Sequence, residues 1–149
     1  MKKTIQFLSL AMAMLFTTTL MAQDAPKLID KSVVQTLNKT PNYGFGASEE
    51  RPLRFSFMMF DQMKQSGVEI QNYEVVVWGK VLMDVKENKE LFDYISGYMD
   101  KDLTVSVCAV AINKLDIKLE DLPKGIKVVD NAYVRIYELQ ALGYNFLIP

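Results

Sequence analysis

The sequence predicts an α/β protein in which parallel strands alternate with helices. Residues 73–78 and 103–107 are short apolar runs rich in β-branched side chains, as is typical of strands covered on both faces. Residues 87–99 and 132–142 carry the apolar spacing of amphipathic helices. Alternation of this kind requires right-handed helical crossovers between parallel strands. We therefore expect a three-layer α/β/α sandwich.

The first 22 residues are typical of a secretory signal peptide. Lys2 and Lys3 give a basic start, residues 5–16 form an apolar core, and Ala22 is a suitable small residue before a cleavage point. The apolar core is too short for a membrane-spanning helix, which needs roughly 20 residues. We expect a periplasmic or secreted protein with one domain over 23–149. An uncleaved membrane anchor is the alternative.

Composition excludes several classes of function. The chain has 149 residues and a formal net charge of −1, which suits one domain and argues against a nucleic-acid binder. It contains no histidine, so a Cys–His catalytic dyad is excluded. No residue spacing is typical of a metal cluster or a phosphate-binding loop. We expect no cofactor, no metal and, after signal cleavage, no membrane contact.

The first half of the domain is the less regular part. Residues 27–37 fit either a first strand or a short helix. Residues 39–48 contain one proline and two glycines and predict a loop. Residues 49–66 predict a helix whose apolar surface Phe55 and Met58 widen beyond one stripe. A helix this apolar is either deeply buried or covered by another subunit.

The second half alternates more regularly between strand and helix patterns. Its clearest strand is 73–78, and a cap at Asp130 or Asn131 precedes its last helix. The other predicted elements are a helix over 87–99, a strand over 103–107, a short helix over 109–115, a strand over 126–129, a helix over 132–142 and a strand or extended tail over 144–148.

The only cysteine, Cys108, lies where the strand over 103–107 meets the helix over 109–115. In a parallel α/β protein this junction is the carboxyl edge of the sheet, where ligands bind. A helix N-terminus also favours a thiolate over a thiol. Cys108 is therefore a candidate nucleophile or sulfur acceptor. The alternatives are a small buried core residue and a disulfide between two chains.

Two residues that follow the neighbouring strand are weaker candidates for ligand binding. Gly79 would let a ligand approach the backbone closely, or it is a turn residue. Lys80 would supply a cation near Cys108, or it is a solvated surface lysine. Neither has a spacing that distinguishes these alternatives.

Four segments, in order, resemble the DsrE/DsrF-like family of sulfur-relay proteins, which includes the TusD-type sulfur carriers. They are Val-Val-Val-Trp-Gly at 75–79, Val-Ser-Val-Cys-Ala-Val-Ala at 105–111, Asp-Leu-Pro with Gly-Ile-Lys-Val-Val at 121–129, and Glu-Leu-Gln-Ala-Leu-Gly-Tyr at 138–144. The resemblance implies a flavodoxin-like fold around a five-stranded parallel sheet, and homo- or hetero-oligomers, often trimers or hexamers; we expect a homo-oligomer. It also implies that Cys108 accepts a persulfide sulfur and passes it on.

Two functions follow as hypotheses. The first is an exported DsrE-like sulfur carrier, or at most a sulfurtransferase-like protein, that works through Cys108 with a sulfur donor or acceptor protein. The second is a non-catalytic oligomeric binding or structural module that keeps the fold without the sulfur chemistry. The predicted signal peptide departs from the family pattern, since the known relay members work in the cytoplasm.

Overall fold

The computed structural model describes residues 27–149, and the predicted signal peptide lies outside them. None of the helices described is long and apolar enough to cross a bilayer. The elements are α1 (Lys31–Leu37), β1 (Asn42–Ala47), α2 (Glu50–Gln65), β2 (Asn72–Val77), α3 (Val81–Glu87), α4 (Lys89–Ser96), β3 (Thr104–Cys108), α5 (Ala109–Lys114), a 3₁₀ turn (Leu119–Asp121), β4 (Lys127–Val129), α6 (Ala132–Ala141) and β5 (Asn145–Leu147).

The five strands form one sheet in the order β4-β3-β2-β1-β5, and every pair of neighbours is parallel. Strands β1 to β4 advance in one direction across the sheet, and β5 returns to the far side of β1. Right-handed crossovers then require the helix that precedes β5 to lie on the opposite face from the others. The chain is thus a flavodoxin-like α/β sandwich, which confirms the predicted fold class.

The two faces of the sheet are covered unequally. Helices α2, α3, α4 and α5 contribute to one large apolar core, which includes Phe57, Leu91 and Val105. Helix α6 covers the other face, where the smaller core is formed by Val76, Cys108, Ala132, Ile136 and Leu139. The only cysteine therefore belongs to the thinly covered side of the sheet.

The loop predicted over 39–48 is wrong, because this segment contains the inner strand β1. Its glycines are needed on the side facing α6. A Cβ at Gly44 would overlap the ring of Phe146, and one at Gly46 would lie 2.9 Å from the ring of Trp78. The large side chains of β1 point to the opposite, larger core. The glycines that suggest a loop therefore make room for aromatic side chains in a sheet.

The other predicted elements agree with the structure more closely. The ambiguous segment 27–37 contains the helix α1, which resolves the alternative in favour of a helix. The helix predicted over 87–99 begins at Lys89, because Asn88 caps it by accepting hydrogen bonds from the N–H groups of Glu90 and Leu91. The preceding helix α3 was not predicted.

Candidate functional site

Cys108 is the last residue of β3, at the carboxyl edge of the sheet, and pairs with Val129 of β4. The helix after β3 packs on the large core, whereas the helix after β4 packs on the opposite face. Because these two helices leave on opposite faces, the loops that follow β3 and β4 diverge at the carboxyl edge of the sheet, the edge at which open α/β sheets bind ligands. Cys108 therefore lies at this edge, beside the point where the two loops diverge.

The sulfur of Cys108 is hydrogen-bonded to the start of α6. The backbone N–H of Ala132 donates to Cys108 Sγ over 3.4 Å. The next two N–H groups, of Tyr133 and Val134, donate to the side chain of Asn131, which caps the helix. The sequence pointed to the N-terminus of the helix over 109–115, but the N–H group that contacts the sulfur comes from the later helix, α6.

The thiol is buried. Cys108 is 6% exposed and packs among Val76, Ala132, Ile136 and Leu139. A surface cavity of about 270 Å³ opens beside the start of α6, and its lining includes Val129 and Asn131 but not Cys108. Val129, which pairs with Cys108, and Asn131, which caps α6, thus line a cavity that the buried Cys108 does not reach.

Gly79 and Lys80 lie at the same edge of the sheet but are not joined to Cys108. Gly79 has φ of +78°, a left-handed conformation that glycine adopts without strain, so the turn accounts for its presence. Lys80 is exposed and directly precedes α3, whose buried side chains pack in the large core rather than around Cys108. Among the described residues, no hydrogen bond or ion pair links Lys80 to Cys108.

A buried polar network was not predicted from the sequence. It includes Ser106, which is two residues before Cys108 on the same side of β3. Glu74 of β2 is 4% exposed and accepts hydrogen bonds from Ser106 Oγ at 2.7 Å, Arg135 Nε at 2.9 Å and Arg135 Nη2 at 2.7 Å. The hydrogen bonds to Glu74 are the main cause that raises the pKa of Arg135 above its already high ordinary value. Glu74 is an acidic residue inside an otherwise apolar strand, and this feature of the sequence could have indicated the network.

Half of the other acidic residues described form surface ion pairs. Asp121 pairs with Lys86 at 3.0 Å, and this contact is the main cause that lowers the pKa of the Asp121 carboxyl. Asp61 pairs with Lys101 at 2.9 Å. Across residues 27–149, no group of three or more cysteine or carboxylate side chains is arranged to hold a metal ion.

Apolar side chains are exposed on the outer surface of α2. Phe55 is 47% exposed and Met58 is 57% exposed. They line an apolar groove of about 580 Å³ whose rim is formed by charged side chains of the same helix. The inner edge of Phe55 rests against Phe45, with ring centroids 6.2 Å apart. This surface is the widened apolar face that the sequence indicates.

Comparison with known proteins extends the description of the fold. No family model matches the chain, and no curated protein matches it. A solved structure, that of the protein of unknown function MTH1491 from Methanobacterium thermoautotrophicum, superimposes with a TM-score of 0.59 at 18% sequence identity. The match covers 72% of this chain and 96% of that protein. At this identity the likeness concerns the fold alone.

Proposed function

We propose that this protein is a sulfur carrier of the DsrE-like type that acts through Cys108. One observation carries the proposal: Cys108 is at the carboxyl edge of the parallel sheet, with its Sγ accepting a hydrogen bond from the backbone N–H of Ala132 at the start of α6. A helix N-terminus stabilises negative charge on a nearby sulfur. The family resemblance of residues 73–149 supports the same residue independently of the fold.

The chemistry needs a donor that carries a persulfide. The Cys108 thiolate attacks the terminal sulfur of the donor persulfide, R–S–SH, and a new S–S bond forms at Cys108 Sγ. The donor S–S bond breaks, its electron pair leaves with the donor thiolate, and the proton stays on the transferred sulfur. No other oxidant or reductant is required. Delivery to an acceptor thiolate repeats the same exchange in the opposite direction.

Burial of the thiol makes access to it a separate step. Since Cys108 is 6% exposed, a donor reaches Sγ only when the first turn of α6 moves away from β3. Short openings of a helix terminus are low in free energy compared with global unfolding. The carrier would thus keep its sulfur covered between donor and acceptor.

The direct test is sulfur uptake by the purified protein. Incubation with a small-molecule persulfide donor should add the mass of one sulfur atom in the intact-mass spectrum, and peptide mapping should assign it to Cys108. The Cys108→Ala variant, which removes the sulfur without burying a new polar group, should gain nothing. The absence of a mass gain, together with a folded-state thiol that resists alkylation, would falsify the proposal.

A second candidate function is a non-catalytic oligomeric module that has the fold but no sulfur chemistry. Two observations favour it: the burial of Cys108, and the exposed apolar groove around Phe55 and Met58. In this case Cys108→Ser leaves cellular function intact, whereas polar substitutions in the groove abolish it. For a sulfur carrier, Cys108→Ser abolishes cellular function and polar substitutions in the groove leave it intact. The two kinds of variant therefore distinguish the candidates.

A further inference from the structure

Helix α6 is attached to the sheet at two neighbouring points. Its first residue, Ala132, donates its N–H to Cys108 Sγ at 3.4 Å. Three residues later, Arg135 makes a bidentate ion pair with Glu74, with Nε–Oε1 and Nη2–Oε2 distances of 2.9 and 2.7 Å. Residues three apart share a face of a helix, so both contacts fix the same turn.

The two attachment points are connected through β3. Ser106 Oγ donates to Glu74 Oε1 at 2.7 Å, and Ser106 is two residues from Cys108 on the same face of the sheet. The contacts therefore close a ring that runs from Arg135 through Glu74, Ser106 and Cys108 back to Ala132. A closed ring of this kind leaves the first turn of α6 little freedom relative to the sulfur.

Burial and charge give this ring its strength. The Glu74 side chain is 5% exposed and the Arg135 side chain 26% exposed, so water screens their attraction only in part. The planar guanidinium matches both carboxylate oxygens, which fixes orientation as well as distance. Glu138, on the exposed side of Arg135, contacts Nη1 at 2.7 Å and leaves the Glu74 contacts intact.

We infer that Arg135 and Glu74 are positioning residues that hold the N–H of Ala132 on the sulfur of Cys108, an inference that rests on the proposed function of this same site. The pair touches neither the sulfur nor a donor. It acts by fixing the helix turn that covers the thiol and supplies the hydrogen bond to its anionic form. Access to the thiol and the hydrogen bond to its sulfur then both depend on one ion pair.

The test uses three variants and a matched control. Arg135→Gln removes the bidentate contact but leaves Glu74 buried without a counter-charge, which can prevent folding. The double variant Glu74→Leu/Arg135→Met removes both charges and keeps the test valid if the single variant does not fold. Glu138→Gln removes the other partner of Arg135 and preserves the ring, so it is the control. Arg135→Lys retains the charge without the planar fork.

Two measurements separate positioning from general loosening. The first is amide hydrogen exchange at Ala132, which we expect to accelerate about tenfold or more in the Arg135 variants and to remain unchanged in Glu138→Gln. The second is the pH of half-maximal alkylation of Cys108, which we expect to rise by about one pH unit as the hydrogen bond to the thiolate is lost. Looser packing alone would admit water to the buried thiol and move this midpoint in the opposite direction, to lower pH. Arg135→Lys should lie between the wild type and Arg135→Gln in both measurements.

The outcomes for this inference and for the proposed function are distinct. Unchanged Ala132 exchange and an unchanged alkylation midpoint in the folded variants would overturn the positioning role, whether or not the wild type takes up sulfur. Accelerated Ala132 exchange with a raised midpoint supports positioning, and accelerated exchange with a lowered midpoint overturns it, because it shows loosening alone. If the wild type then gains no sulfur from a persulfide donor, the sulfur-carrier function fails while the positioning of the turn stands.

Discussion

Gly44 of β1 pairs with Phe146 of β5 in the parallel register and lies directly against its aromatic ring. A Cβ at Gly44 would overlap ring atoms Cδ2 and Cε2 of Phe146 and lie 3.2 Å from Cγ. Because Gly44 has no side chain, β5 can pair with β1 while the ring of Phe146 points toward α6. Gly46, next on the same side of β1, makes similar room for Trp78 and Ile148.

We expect Gly44→Ala to lower the free energy of unfolding by about 1–3 kcal/mol, the usual cost of overpacking a filled site. Urea unfolding followed by circular dichroism measures the change. Phe146→Leu in the Gly44→Ala background should recover part of the loss, because the smaller side chain removes the overlap.

Gly97→Ala is the matched control for this substitution. Gly97 has φ of −66°, and an added Cβ would lie 3.5 Å from its nearest neighbour, an ordinary contact. We expect its stability to be unchanged or to rise by about 0.5 kcal/mol, since alanine restricts the unfolded chain. An equal loss of stability at Gly44 and Gly97 would show that the contact with Phe146 is not the cause.

Much of the fold was predictable because its second half is locally consistent. In the apolar run over 73–78, residues 73–77 are buried as expected. The segment over 132–142 is a helix that buries Ala132, Ile136 and Leu139, but its other apolar side chains, those of Tyr133, Val134 and Tyr137, are exposed. The strand β1 was missed for a physical reason. Its two glycines leave room for the rings of Trp78 and Phe146, which are about 30 and 100 residues away in the chain. The sequence around β1 cannot indicate contacts at that distance.

The candidate site was predictable in position but not in its contacts. Cys108 lies at the carboxyl edge of the sheet, as the strand–helix junction indicated. The donor of its hydrogen bond, Ala132, is 24 residues later in the chain and belongs to another βα unit. The Glu74–Arg135 pair spans 61 residues. Only the order of strands in the sheet brings these groups together, and that order is not encoded in any one segment.

Stability should fall in alkaline solution because a buried tyrosine must stay neutral in the folded chain. Tyr73 is 4% exposed, its hydroxyl donates to the Ser56 carbonyl at 2.8 Å, and burial raises its pKa well above the ordinary value of 10.0. Below about pH 10 the hydroxyl is neutral in both states, so its contribution is complete. Above that pH the unfolded chain loses the proton first and unfolding becomes more favourable.

We therefore expect Tyr73→Phe to reduce the alkaline slope of the unfolding free energy by up to about 1.4 kcal/mol per pH unit. Urea unfolding between pH 9 and about pH 11 measures this slope. Tyr137→Phe removes a hydroxyl from a ring that is 73% exposed, and it should leave the slope as in the wild type. A slope that Tyr73→Phe does not alter contradicts the assignment.

Asn131→Ala should loosen the turn that covers the thiol. Asn131 accepts hydrogen bonds from the N–H groups of Tyr133 and Val134, and losing such a cap costs about 1 kcal/mol. If the thiol is reached through fraying of this turn, the maximal alkylation rate of Cys108 should rise about fivefold. The matched variant is Asn88→Ala, which removes the equivalent cap of α4.

Both cap variants should lose similar stability, so only location distinguishes their effects on Cys108. We expect Asn88→Ala to leave the alkylation rate unchanged, because α4 packs in the large core on the other side of the sheet. Equal acceleration by both variants would mean that the thiol is exposed by global rather than local opening.

The exposed groove on α2 gives the remaining prediction, which concerns assembly. Apolar side chains exposed together on one surface are typical of interfaces between subunits, and the charged rim of this groove fits that pattern. We expect the wild type to be an oligomer by light scattering and Met58→Glu to shift it toward monomer, because a buried unpaired carboxylate opposes association. Leu119→Glu adds the same charge at a residue that is 53% exposed in the 3₁₀ turn, away from α2, and should leave the mass unchanged. A monomeric wild type, or equal dissociation by both variants, would remove α2 as an interface.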